Sequence, residues 1–258
     1  MQVMILCGGM GTRLREETEV RPKPMVEIGG HPILWHIMKC YALHGFTDFV
    51  ICLGYKGERI KEYFLNYEAM NNDFTVELGR PESIHFHAGH REHGWRVTLA
   101  DTGYATATGA RIKQASRYLT GDRFMLTYGD GVSNVDLRRL LAFHEAQRTL
   151  ATVTGVHPAS RFGELLVSGE RVRQFSEKPQ THDGVINGGF FVFERGALDY
   201  LTDDPACVLE REPLERLAAD GQLSVYRHDG FWQCMDTYRD YQLLNQLWSS
   251  GEAEWKQW

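Results

Sequence analysis

Apolar residues along this chain keep two rhythms. Short, largely apolar runs at 3–7, 48–54, 96–100 and 124–127 predict strands, and the first two, apolar at nearly every position, predict buried strands. Between them the spacing lengthens: over 32–44, Leu34, Ile37, Met38 and Tyr41 share one face of a helix, with Pro32 suited to its first position and Gly45 to its stop. Residues 58–67 and 110–119 predict further helices, and 136–148 a clearly amphipathic one. The later half changes character. Apolar stretches at 165–167 and 172–175 flank a Ser168-Gly169 turn and predict a hairpin, followed by a strand at 190–193 and a helix at 238–247 carrying Tyr241, Leu244 and Leu247. Strands alternating with helices build an α/β fold, a mostly parallel mixed sheet with helices on both faces, plus a small β-hairpin region. No linker, low-complexity run or internal repeat interrupts it, which predicts a single domain over 1–258.

Composition keeps this picture and removes alternatives. Hydrophobic residues at 43% and charged residues at 24% are ordinary globular values, which argues against a disordered, collagenous or coiled-coil chain. With 28 Lys and Arg against 34 Asp and Glu the formal charge is −6, the wrong sign for a nucleic-acid binder. Any anionic ligand must be held by local groups. Cys7, Cys40, Cys52, Cys207 and Cys234 are odd in number and form no Cys-x-x-Cys pair, so reduced, mostly core thiols are expected. The apolar start is too short for a signal peptide or a membrane span. The expectation is a cytoplasmic protein with neither a nucleic-acid nor a membrane partner.

Candidate chemistry concentrates near the start. The strand at 3–7 empties into Gly8-Gly9-Met10-Gly11-Thr12-Arg13-Leu14, a glycine-rich turn with a cation, placed where open α/β sheets bind ligands. Glycines there let backbone N–H groups approach phosphate oxygens closely, although an ordinary strand exit looks the same. Leu14 stands where G-x-G-x-x-G needs its third glycine, and no Gly-Lys-Ser/Thr follows, so neither the dinucleotide fingerprint nor a P-loop is present. In Arg21-Pro22-Lys23-Pro24-Met25 two prolines stiffen the backbone around one lysine. That suits a cation meeting a transferring phosphate, while a solvated loop is the commoner fate of lysine. Asp130, between two glycines, and Asp236, after an apolar-aromatic run, are each, taken alone, more readily turn formers than metal ligands.

Leu6 to Leu14 followed by Arg21 to Met25 resembles the signature of the sugar-1-phosphate nucleotidylyltransferases. Glu27 to Lys39, Gly54-Tyr55-Lys56-Gly57, Thr127 to Val132, Arg161-Phe162-Gly163, Phe175 to Pro179, Ile186 to Phe191 and Gly230 to Thr237 carry the resemblance from end to end. Ile33 to Lys39 and Trp232 to Thr237 are similar to the cytidylyl branch, the glucose-1-phosphate cytidylyltransferases. The resemblance implies a Rossmann-like, GT-A-like nucleotidyltransferase fold. It implies an enzyme that joins CTP to α-D-glucose 1-phosphate, giving CDP-glucose and pyrophosphate with Mg2+ as cofactor, and feeds surface-polysaccharide synthesis. It also implies a homo-oligomer, a hexamer among the options, in which neighbours complete part of the site.

Residue by residue, the same resemblance implies a nucleotide held by Leu6, Cys7, Gly8, Gly9, Met10, Gly11, Thr12, Gly109, Ala110, Arg111 and Gly129. Arg13 would brace the triphosphate and Lys23 would contact the phosphates in transfer, the two catalytic cations. Lys178 would hold the sugar phosphate, Glu177 a sugar hydroxyl, and Asn187 and Gly188 other hydroxyls, with Asp130 and Asp236 as metal ligands. Ala110 replaces the branch's second glycine, which bears on base preference; Cys7 and Cys234 replace its usual alanine and proline. Two alternatives stay open: the same chemistry with dTTP, UTP or another sugar 1-phosphate, and a non-catalytic nucleotide-sugar sensor on the same fold. The presence of Lys23, Asp130 and Asp236 together favours an enzyme. His85, His87, His90 and His93 read as strand and loop residues rather than a zinc site, since no Cys or carboxylate pattern completes one.

Overall fold

The computed structural model describes residues 1–11, 13–80, 83–87, 89–157, 164–168, 171–176 and 184–258, with backbone alone at 15–16, 164–168 and 171–176. Its main strands in chain order are β1 (Gln2–Cys7), β2 (Asp48–Leu53), β3 (Arg96–Asp101), β4 (Arg123–Tyr128), β5 (Gly131–Ser133), β6 (Ala151–Val156), β7 (Ile186–Glu194), β8 (Leu223–His228) and β9 (Trp232–Cys234). Its main helices are α1 (Ile33–Leu43), α2 (Gly57–Leu65), α3 (Thr108–Ala115), α4 (Leu137–Gln147), α5 (Glu212–Ala219) and α6 (Tyr238–Ser250).

Among the described residues, a seven-stranded sheet runs in the order β8-β6-β7-β4-β1-β2-β3. β1 pairs in parallel with β2 and β4, β2 with β3, and β6 with β8. Only β7 runs against its neighbours, β4 and β6, so the sheet is mixed but mostly parallel, as expected. Strand β1 is apolar throughout because both of its faces are covered: Val3, Ile5 and Cys7 join one apolar cluster with α1, α4 and α6, while Met4 and Leu6 join another with α3 and α5. The chain leaves β1 toward β2 and β3, then returns to the other side of β1 as β4. That reversal opens a crevice beyond the carboxyl ends of β1 and β4, where Leu6 lies opposite Tyr128.

Several elements depart from the pattern read in the sequence. The helix expected over 32–44 is α1; Pro32 precedes it in an extended conformation (ψ 144°), and nine consecutive residues from Ile33 to Tyr41 are buried rather than one face. Its outer side is covered by Trp248, Trp255 and Trp258 from the far end of the chain, whose rings lie against Trp35 and His36. The helix expected at 58–67 is α2, which ends at Leu65, with Asn66 capping it before a short helix, Tyr67–Asn71. The one expected at 110–119 begins earlier, as α3, and tightens into a 3-10 turn at Ser116–Tyr118. Strand β7 is longer than 190–193, and β6, β8 and α5 are elements the pattern did not mark. The hairpin is present as Glu164–Ser168 paired with Arg171–Ser176, its expected Gly169 lying outside the described residues.

Candidate active site

Lys23 is where the local sequence and the sheet meet. It opens a 3-10 turn, Lys23–Met25, entered from an extended Pro22 and held by Met25 N–H to the Pro22 carbonyl at 2.8 Å. The prolines leave this turn little freedom. Its side chain is only 11% exposed, and its Nζ donates to Asp130 Oδ2 at 2.6 Å and to Asp236 Oδ1 at 2.5 Å. Burial by itself pulls an ammonium toward neutrality. Here the two carboxylates outweigh it and hold the Lys23 pKa above the ordinary lysine value, so the cation persists at neutral pH.

Two devices bring the carboxylates together. Gly129 follows β4 and donates to the Leu6 carbonyl at 2.9 Å. A Cβ there would come within 2.8 Å of that oxygen and 3.1 Å of Pro24, so only glycine lets the Asp130 turn nestle beside β1 and the lysine turn. Asp236 arrives by a second route. β9 pairs antiparallel with β5, matching Cys234 to Gly131, and the Met235 N–H donates to the Asp130 carbonyl at 2.8 Å. Asp236 then stands just before a capping box, Thr237 with Asp240, that starts α6, and its own N–H donates to Asp240 Oδ2 at 3.1 Å.

Two cavities flank this cluster. One, of about 220 Å³, lies under the glycine-rich turn and is lined by Leu6, Cys7, Gly8, Gly9, Gly11 and Thr108, with Lys23, Arg111 and Gly129 completing it. The other, of about 210 Å³, is lined by Gly188, Gly189, Trp232, Cys234 and Asp236. Tyr128 and Asp130 belong to both. The crevice thus offers two compartments with one charged junction.

The other expected site residues fall in different places. Arg13 is 76% exposed and reaches Asp236 at 3.5 Å. Met10 is 53% exposed, with its sulfur near the Tyr104 hydroxyl. Arg111 is buried, and its guanidinium donates to the carbonyls of Gly8, Leu53, Gly103 and Tyr104 and to the Thr102 hydroxyl, bracing the turn from beneath. A Cβ on Gly8 would collide with it at 2.1 Å. Gly109 and Ala110 do not line the cavity: Gly109 packs on Cys207, and the Ala110 N–H donates to the Cys207 carbonyl at 3.1 Å. Ala110 itself is fully buried. Asn187 donates to the Tyr128 hydroxyl at 3.1 Å, and the Gly188 carbonyl accepts from the Trp232 indole at 2.7 Å. Thr12, Glu177 and Lys178 lie outside the described residues.

The sequence reading gives no separate role to the side chains of Thr108, Tyr128 and Trp232, which complete the walls, or to Glu210, which lines neither cavity but bonds to Thr108 and Tyr128. Tyr128 and Trp232 sit inside conspicuous motifs; Glu210 has no local signal at all. Burial, with Asp236 and Asp130 adding to it, pushes the Cys234 thiol up to about 12, and burial first of all raises Cys7 well above its ordinary value. Neither thiol is a nucleophile at neutral pH. His87 bonds to Thr75 and His90 to Glu68, both remote from this crevice.

The sequence profile of the Nucleotidyl transferase family matches residues 2–245, and the chain belongs to that family. Over its whole length and theirs, it is 49% identical to glucose-1-phosphate cytidylyltransferase of Salmonella typhi and 46% identical to a Bacillus subtilis protein named as a probable glucose-1-phosphate cytidylyltransferase. Within the family it therefore groups with the glucose-1-phosphate cytidylyltransferases. The fold alone is shared with HddC from Yersinia pseudotuberculosis, at TM-score 0.68 and 22% identity over 96% of this chain and 99% of that one.

Proposed function

We propose that this chain transfers the cytidylyl group of CTP to α-D-glucose 1-phosphate, giving CDP-glucose and pyrophosphate. The observation that carries the reading is Lys23 held between Asp130 and Asp236 at the junction of two cavities, one under a glycine-rich turn and one beside Gly188 and Trp232. The choice of substrates is supported by the names of the full-length relatives.

A phosphate oxygen of the sugar attacks the α-phosphorus of CTP, and pyrophosphate leaves in line. The attacking oxygen is already ionised near neutral pH, so no general base is needed. The protein's work is then to align two anions and to meet the charge that develops between them. The glycine-rich turn receives the nucleotide, Arg13 braces its triphosphate, and the Lys23 ammonium faces the transferring phosphate. Asn187 and Gly188 meet sugar hydroxyls on the far side of Tyr128, and the resemblance alone assigns Lys178 to the sugar phosphate and Glu177 to a further hydroxyl.

The donor set fits a divalent ion. Asp130 and Asp236 already converge on one cation, the Lys23 ammonium, and supply two hard carboxylate oxygens of the kind magnesium takes alongside phosphate oxygens and water. Asp130 and Asp236 would hold magnesium, whose chemistry there is to draw phosphate oxygens together and neutralise their charge. No helix among the described residues is long and apolar enough to cross a membrane, and the reading includes a cytoplasmic homo-oligomer. A pyrophosphate-release assay over four nucleoside triphosphates and several hexose 1-phosphates tests it. The expected maximum is CTP with glucose 1-phosphate; a maximum with dTTP or UTP would replace the base assignment, and no turnover with any pair would leave a sensor.

A further inference from the structure

Tyr128 is the wall that the two cavities share, and its hydroxyl is held from both sides. It donates to Oε1 of Glu210 and accepts from Nδ2 of Asn187 at 3.1 Å. The second Glu210 oxygen, Oε2, accepts from the Thr108 hydroxyl at 2.7 Å, and that hydroxyl accepts in turn from the Leu209 N–H at 2.9 Å. On the other side, Asn187 Oδ1 accepts from the Gly189 N–H at 2.8 Å. Each hydroxyl donates once and accepts once, so the donor assignments along this chain leave no free choice. Thr108 lines the nucleotide-side cavity and Gly189 the other. The Tyr128 ring lies close over the Gly189 backbone: a Cβ on Gly189, whose φ is +80°, would stand 2.5 Å from it.

We infer that Glu210 is a positioning residue, one that fixes Tyr128 as the partition between the cavities and makes occupation of one tighten binding in the other. This rests on the two-substrate reading above. A carboxylate is required because two hydroxyls must donate to it at once. With Gln, Nε2 faces one of them, and if that one is Tyr128 its oxygen meets two donors while its own proton loses its acceptor. The coupling is carried by orientation, since a nucleotide that settles Thr108 also settles Glu210, and through it the face that Tyr128 and Asn187 present to the sugar phosphate. A purely electrostatic Glu210 makes the opposite forecast. Removing its charge from beside the triphosphate would tighten nucleotide binding and leave the coupling intact.

The test is calorimetric titration of glucose 1-phosphate with and without saturating α,β-methylene CTP, which cannot be turned over. In the wild type the analogue should tighten the sugar phosphate by about fivefold or more, the low end of ordinary coupling between sites. In Glu210→Ala that factor should fall below about twofold, with Glu210→Gln between, while binding to the nucleotide-free protein changes by less than about twofold. The KM for glucose 1-phosphate at saturating CTP should rise by the fold the coupling loses. Thr108→Val breaks the same chain at its other link and should reproduce the loss, so the result does not hang on the stability of one variant. Equal factors in wild type and Glu210→Ala, or a wild-type factor near one, overturn the inference. If another nucleotide and sugar phosphate prove to be the substrates, the substrate reading fails, and the same titration with that pair still decides the role of Glu210.

Discussion

Lys23 is answerable to two partners that lie 107 and 213 residues further along the chain. Its flanking prolines make its rigidity visible from the sequence; its partners are not visible there, because only the sheet brings them within reach. In the proposed reaction the charge facing Lys23 would be greatest as the α–β bond of the triphosphate breaks, and interactions stronger in the transition state appear in turnover rather than in affinity. Lys23→Met should therefore lower kcat by roughly a hundredfold or more, with a smaller change in CTP affinity, when the two are measured separately. Lys23→Arg should recover little, since a planar fork does not fit where a compact ammonium sits between two carboxylates. Near-normal turnover in the Met variant would return Lys23 to the role of a buried charge-balancing residue.

At the scale of elements, a three-residue ladder and a helix cap do what no single side chain can. Pairing of β9 with β5 sets Asp236 beside Asp130, and Asp240, at the third position of α6, holds the backbone there by accepting from the Asp236 and Thr237 N–H groups. Its other carboxylate oxygen accepts from Gln233 at 3.2 Å, so one residue ties β9 to the helix start. Asp240→Ala should cost about 1 kcal/mol of stability, the usual scale of a lost cap, measured by urea denaturation. The magnesium concentration for half-maximal activity should rise as well, because the Asp236 backbone loses its anchor. A stability loss without a change in magnesium dependence would limit Asp240 to capping. The Trp232 to Thr237 run marks itself as unusual in the sequence, but its short strand pairing does not: three residues carry too little periodicity to announce a strand.

The whole molecule closes on His36. This imidazole is fully buried; Nε2 bonds to the Ile28 carbonyl at 2.8 Å, so it carries the proton, and Nδ1 accepts from the Trp255 indole at 3.4 Å. Only the neutral ring satisfies both. Burial, above all, lowers its pKa to about 4 from an ordinary 6.5. A group held below its unfolded value in this way leaves the fold undiminished above pH 6.5 and weakens it progressively as pH falls toward 4, because the unfolded chain takes up the proton first. At about 1.4 kcal/mol per unit the loss is on the order of 3 kcal/mol. Urea midpoints at pH 7 and pH 4.5 should separate more for the wild type than for His36→Gln; equal separations would show that His36 does not drive the acid sensitivity.

Local spacing and short runs of residues carry the class of sheet, the helices around it, the glycine-rich turn after β1 and the proline-clamped lysine, whereas the two aspartates stand out as a pair only through the resemblance to a family. Tertiary structure alone decided what those residues face. It turned Arg111 beneath the turn, set Ala110 away from the cavity, wrapped the final tryptophans over α1 and placed Glu210 between Thr108 and Tyr128. The physical reason is common to all four. Periodicity records which side of an element is apolar, whereas the partner of a polar group depends on which distant segment packing brings to it, and no local pattern carries that information.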